Sequence, residues 1–211
     1  MKTFRDLYIR LSGHSIDDFI ARVAASCHAP WHRAIDEEEK LPAPGSMMFS
    51  FGRKTDSALP GAFLFIANKE GDLWYVSNIV PTERAELGYD RYNNILIDFE
   101  KNVLRPAIAG TRIEVDLTGD YISIRDVAGG DVEDALSTFS KLANKSTGSS
   151  HPLDRERWFH FLVLANKQRT NLQTDLVIQT LIDLGWSDER AYELGIEFEF
   201  AQDLLNYFKG H

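Results

Sequence analysis

The chain has 211 residues, 44% of them hydrophobic and 11% aromatic, which is ample material for a core. Its 23 Lys and Arg stand against 32 Asp and Glu, a net charge of −9. A surface of that sign repels a phosphate backbone, so nucleic acid is not an expected partner, and a basic protein is the better electrostatic match.

Residues 4–11, FRDLYIRL, alternate Leu7, Ile9 and Leu11 with Asp6, Tyr8 and Arg10, a period of two that predicts a strand. The N-terminal stretch lacks the apolar core of a signal peptide. No window approaches the ~18 uncharged apolar residues of a membrane span, so a cytoplasmic location without membrane contact is expected. Ser15 reads as an N-cap, with Asp17 and Asp18 in the positive first turn. Ile16, Phe19, Ile20 and Val23 then give the i, i+3, i+4, i+7 spacing of an amphipathic helix ending near Cys27. Cys27 is the one cysteine, which excludes an intramolecular disulfide and a thiolate-rich zinc site.

From His28 to Pro60 the periodicity weakens. Pro30, Pro42, Pro44 and Gly45 punctuate an irregular excursion with one short strand expected at 47–51. The stretch 61–110 organises the rest. Phe63 and Phe65 alternate with Leu64 and Ile66, apolar on both faces, as in a central strand. Residues 68–72 form a polar loop, and 73–80 (LWYVSNIV) return as the second strand of a hairpin ended by Pro81. Tyr92, Ile95, Leu96, Phe99 and Val103 predict a helix over about 90–104, stopped by Pro106, with Gly110 closing the turn. Residues 112–118 alternate cleanly and turn at Thr118-Gly119-Asp120 into a second hairpin with YISI.

After Gly129-Gly130 no strand signal remains. Asp131 is expected to cap a helix carrying Val132, Ala135, Leu136, Phe139 and Leu142. A polar loop over 144–150 leads to Pro152, suited to a first helical turn, and to a stripe of Trp158, Phe159, Leu162 and Ala165. A further helix spans about 172–184, and Ser187 caps the last one. The sequence therefore predicts an α+β protein. A mostly antiparallel sheet of ferredoxin-like βαββαβ order occupies 1–130. A bundle of about four helices occupies 131–211, packed on or beside the sheet or integrated with it.

Candidate chemistry is sparse. His28 and His32 stand four residues apart, the spacing of two ligands on one helix face, with Glu37, Glu38 and Glu39 downstream to complete a metal site. Pro30 lies between them, and Ala29 occupies the place of the glutamate in an HExxH motif, so no general base is built in. His151 and His160 flank the Trp158 helix, near Ser146, Ser149 and Ser150, without a G-x-S-x-G elbow. No phosphate-binding glycine loop occurs, and Glu114, Asp116, Asp120 and Asp126 alternate as solvated carboxylates do. No catalytic residue, cofactor-binding residue or metal ligand is assigned, and no cofactor is expected.

The last helix has a main stripe of Ala191, Leu194, Phe198, Ala201, Leu205 and Phe208, and a second apolar set of Tyr192, Ile196 and Phe200. A helix apolar on two faces is either deeply buried or contacts two bodies. Of the four tryptophans, Trp74, Trp158 and Trp186 are expected in cores or turns. Trp31, in the excursion, is the one expected to be exposed for binding. The functional expectation is a non-catalytic acidic interaction module of the inhibitor, immunity-protein or antitoxin kind, binding a basic partner or itself. The alternative is a metal-assisted hydrolase using His28 and His32 with a nearby carboxylate.

Overall fold

The computed structural model describes residues 1–40, 47–84, 86–145, 151–168 and 172–210. The chain divides into two units, Lys2–Asp120 and Tyr121–His211 together with Met1.

The first unit is built on β1 (Leu7–Arg10), β2 (Trp31–Arg33), β3 (Met48–Arg53), β4 (Ala62–Glu70), β5 (Leu73–Pro81) and β6 (Glu114–Leu117). Their order is β2-β3-β4-β5-β1-β6, and every neighbouring pair is antiparallel. Among the described residues the sheet has six strands, five of them at positions where the sequence predicts strands and one, β2, where it does not. The excursion supplies β2 as well as β3, extending the sheet beyond β4. β4 lies between β3 and β5, as its two apolar faces require. The β4–β5 turn is tighter than the polar run suggests. The strands reach Glu70 and Leu73, a register shift between Asn68 and Glu70 absorbs the slack, and Gly71 takes φ +55°, a conformation glycine adopts without steric cost.

The helices of this unit are α1 (Ile16–Ser26), α2 (Ile35–Glu38), α3 (Tyr89–Phe99) and α4 (Arg105–Ile108), the last two joined by a π-helical turn over Glu100–Leu104. Ser15 caps α1 by accepting from the Asp18 N–H at 3.1 Å. The α3 segment runs past the expected stop. Pro106 follows the wide π turn inside a backbone that is helical without a break, and the chain stays helical to Ile108. Leu7, Ile9, Leu64, Ile66, Trp74 and Val76 form one core with Phe19 and Val23 of α1 and with Ile95, Phe99 and Leu104.

The second unit holds α5 (Ile124–Ala128), α6 (Gly130–Leu142), α7 (Pro152–Lys167), α8 (Thr174–Asp183) and α9 (Asp188–Gly210). The YISI segment is not a second hairpin strand. Ser123 and Asp126 form a capping box, and that local hydrogen bonding commits Ile124 to a helix. Asp131 lies in the first turn of α6 rather than at its cap, which is Gly129. The core stripe of α7 is Trp158, Phe161, Leu162 and Ala165, spaced i, i+3, i+4, i+7, which leaves Phe159 outside it and half exposed.

Aromatic rings form the spine of this unit. Phe139 lies 5.0 Å from Trp158 and 5.3 Å from Trp186 between centroids, Trp158 lies 5.1 Å from Phe161, and Phe161 lies 5.8 Å from Phe198. Both indoles keep their polar ends satisfied: Trp186 Nε1 donates to Ser140 Oγ at 2.9 Å and Trp158 Nε1 to Glu197 at 3.0 Å.

Candidate functional site

The histidine pair is placed by a turn and a strand, not by a helix. The Trp31 N–H donates to the His28 carbonyl at 2.8 Å, and β2 then carries His32 opposite Gly52. The His32 ring lies over Gly52 so closely that a Cβ there would meet it at 2.5 Å. The acidic run is engaged locally. Glu38 pairs with Arg33 at 2.7 Å and accepts from the Ser50 N–H at 2.6 Å, while Glu37 pairs with Lys40. Among the described residues no group of three or more His, Cys, Asp or Glu side chains is placed to hold a metal ion. His151 is a helix cap, its Nδ1 accepting from the Leu153 N–H at 3.2 Å, and His160 is exposed on α7. Ser146, Ser149 and Ser150 lie outside the described residues.

Trp31 is not exposed. It is 3% accessible, packs on Phe99 at 4.9 Å, and donates from Nε1 to Asp98 at 2.7 Å. The reason is a polar anchor that the sequence does not advertise. Arg53, also 3% accessible, donates from Nε to Asp98 at 3.3 Å and from Nη2 to Asp56 at 2.6 Å. Its Nη1 donates to the carbonyls of Lys54, Leu59 and Pro60. Asn102 donates to the other Asp98 oxygen at 2.7 Å. Each nitrogen of the guanidinium is engaged, so the cluster pins the 54–60 loop to β3 and α3 and offers no site for a ligand. Asp56 is held below the ordinary carboxylate value by the N–H groups of Leu59 and Ala58 first, then by Arg53.

Cys27 donates to the Val23 carbonyl at 3.3 Å, and burial pushes its thiol up to about 11. A thiol in that state is a poor nucleophile at neutral pH.

The surface that stands out is on the helical unit. In α9, Ala191, Leu194 and Phe198 are buried, but Phe208 of the same expected stripe is exposed. The second set, Tyr192, Ile196 and Phe200, is exposed, and Leu204 and Phe208 continue it at intervals of four, the five being 55–79% accessible. At ~1.5 Å per residue they make a ridge about 24 Å long. The ridge is bordered by Glu189, Glu193 and Glu197 along one side and by Glu199 and Asp203 along the other.

On the α7 side lies a groove of about 300 Å³, lined by Phe159, Val163, Phe200, Leu204 and Leu205, with Glu197 at its rim. On the α8 side lies a second of about 270 Å³ containing Ile178, Tyr192, Ile196 and Glu199. The carboxyl-terminal half of α9 is held in place by polar contacts to α7. Gln202 donates to the Leu162 carbonyl at 3.1 Å, Asn166 to Asn206 at 2.9 Å, and Lys209 to the Asn166 carbonyl at 3.1 Å. The exposed row is therefore displayed by a fixed helix.

A larger open groove of about 940 Å³ runs along α6 and α7, with Asp131, Asp134, Glu156, Arg157 and His160 among its lining. Arg157 is paired to the buried Asp154 at 2.9 Å and acts as a surface strut. Among the described residues no nucleophile–base–orienter hydrogen-bond chain links these groups.

No helix among the described residues is long and apolar enough to cross a membrane. No protein-family model, no curated protein and no solved structure matches this chain.

Proposed function

We propose that this chain is a non-catalytic protein-interaction module, of the inhibitor, immunity-protein or antitoxin kind, and that its docking surface is the α7–α9 face of the helical unit. One observation carries the reading: the row Tyr192, Ile196, Phe200, Leu204 and Phe208 is exposed on an anchored helix beside Phe159 and Val163. Scattered apolar residues on a surface need no explanation, whereas a contiguous patch with a polar border is the anatomy of a binding site. The sheet unit is read as scaffold, a ferredoxin-like βαββαβ arrangement extended by β2 and β3, with its polar groups spent on holding the loop after β3.

A photo-crosslinking amino acid placed at Phe200 in the full chain tests this in cells, with the same probe at the exposed Val80 of the sheet unit as control. A discrete protein adduct at position 200, absent at position 80 and lost when Leu204→Asp is added, is the expected result. The same diffuse labelling at both positions, or none at either, would sink the reading.

A further inference from the structure

The border of the ridge carries a specification for its occupant. Of the charged residues in α9, six are acidic (Asp188, Glu189, Glu193, Glu197, Glu199 and Asp203) and two are basic (Arg190 and Lys209). Arg190 is paired to Glu193 within the helix, and Lys209 donates to a carbonyl of α7. On α9 the acidic rows lie on both sides of the apolar row, while on α7 the Arg155 guanidinium lies over the outer Phe159 ring at 5.7 Å, so the acidic borders an occupant would meet are those of α9.

A second copy of this chain packed ridge to ridge would bring like-charged rows together, which is unfavourable at close range. An occupant with the opposite pattern faces no such repulsion. Ridge spacing of four residues and a groove between two helices are the geometry that accepts another helix, its apolar side chains seating between rows. Lys and Arg fit the border because their aliphatic stems cover apolar surface while their charged ends reach the carboxylates.

Resting on the interaction reading above, we propose that the α7–α9 face binds a cationic amphipathic helix of a partner protein. Its apolar stripe lies against Phe159, Val163, Phe200 and Leu204, and its Lys or Arg flanks face Glu197, Glu199 and Asp203.

The probe is a labelled Leu/Lys amphipathic peptide of about 14 residues, which spans about 21 Å when helical. It is titrated against the full chain and followed by fluorescence anisotropy. A scrambled peptide of the same composition and a Leu/Glu peptide of the same pattern serve as controls. Saturable binding of the Leu/Lys helix is expected, with both controls weaker by about tenfold, a difference of about 1.4 kcal/mol. Phe200→Asp with Leu204→Asp should weaken binding by about tenfold or more. Glu199→Gln with Asp203→Asn should weaken it severalfold and flatten its dependence on salt. These positions are exposed, so circular dichroism should be unchanged.

Equal binding of the scrambled peptide, or binding indifferent to the Phe200 and Leu204 changes, would overturn the proposal. So would a concentration-dependent dimer in light scattering that Phe200→Asp abolishes, since the occupant would then be a second copy. That last result would leave the interaction reading standing, whereas the absence of a specific crosslink at Phe200 strikes the reading itself.

Discussion

The two units each bury two tryptophans, and they do so differently. In the sheet unit Trp31 is held by a charge-assisted network around Asp98 and Arg53, and the exposed rings of Phe4 and Tyr89 pack on each other at 4.5 Å instead of standing in a row. In the helical unit Trp158 and Trp186 sit in a run of touching rings through Phe139, Phe161 and Phe198. Just outside that run α9 shows an unbroken apolar row. The contrast separates the two roles that an aromatic-rich sequence can hide. Aromatic side chains that meet other rings or find a polar partner are structural, and those left in a row on a fixed helix are free to meet something else.

Phe139→Ala should break the helical unit most severely. It removes the ring shared by Trp158 and Trp186, and a buried Phe-to-Ala change costs about 3–5 kcal/mol. Denaturant unfolding followed by the fluorescence of Trp158 and Trp186, in a background lacking Trp31 and Trp74, measures it. A loss below about 1 kcal/mol would mean that the ring run is not the spine.

Arg53→Ala is the matching test in the sheet unit. Removing the buried guanidinium leaves the partly exposed Asp98 and three loop carbonyls without their donor, a loss of about 1–3 kcal/mol, and it frees the 54–60 loop. The signature is a drop in midpoint together with new proteolytic cleavage in that loop. Unchanged protection would show that the guanidinium does not pin it.

A smaller effect is expected from Ser123→Ala, about 1 kcal/mol, as for the loss of a helix cap. Ser123 hydrogen bonds hold Asp126 below its ordinary 3.8. Because the folded value is depressed, this contribution is complete above the ordinary value and is lost as pH falls through the folded one. The variant should therefore lose stability at neutral pH and show a flatter acid limb. A steeper one would contradict the capping box.

Phe200→Asp with Leu204→Asp should change stability by no more than about 0.5 kcal/mol, since both side chains already face solvent. A loss of several kcal/mol would move that row from surface to core and erase the contrast between the units. Finally, Cys27 should react slowly with a thiol reagent at pH 8 in the native protein and rapidly once unfolded, because burial raises its thiol to about 11. Equal rates would argue against the packing drawn around α1.

Much of the architecture was legible in the residues. The Ser15 cap, the α1 stripe, the β4–β5 hairpin and the α9 start follow from local rules in which a few neighbouring residues decide the outcome. Local rules also failed where two of them competed. Pro106 looks like a stop, yet it follows a π turn in a helix that continues to Ile108. Tyr121–Ile124 reads as a strand, yet Ser123 and Asp126 satisfy backbone groups as a helix start. The β2 strand was not foreseen because its three residues are too few for a period to show.

The candidate site was half legible. The second apolar set on α9 was visible as Tyr192, Ile196 and Phe200, and i+4 spacing extends it to Leu204 and Phe208. Spacing alone did not separate a buried face from a displayed one. Trp31 failed for the same reason in reverse: nothing local announces that Asp98, 67 residues away, supplies a partner for its indole. By itself the sequence determined composition, charge, the periods of its helices and strands, and the acidic rows flanking the α9 ridge. Only the tertiary structure decided which apolar face is covered, because burial depends on contacts between segments distant in the chain, and no single helix encodes what its neighbours leave open.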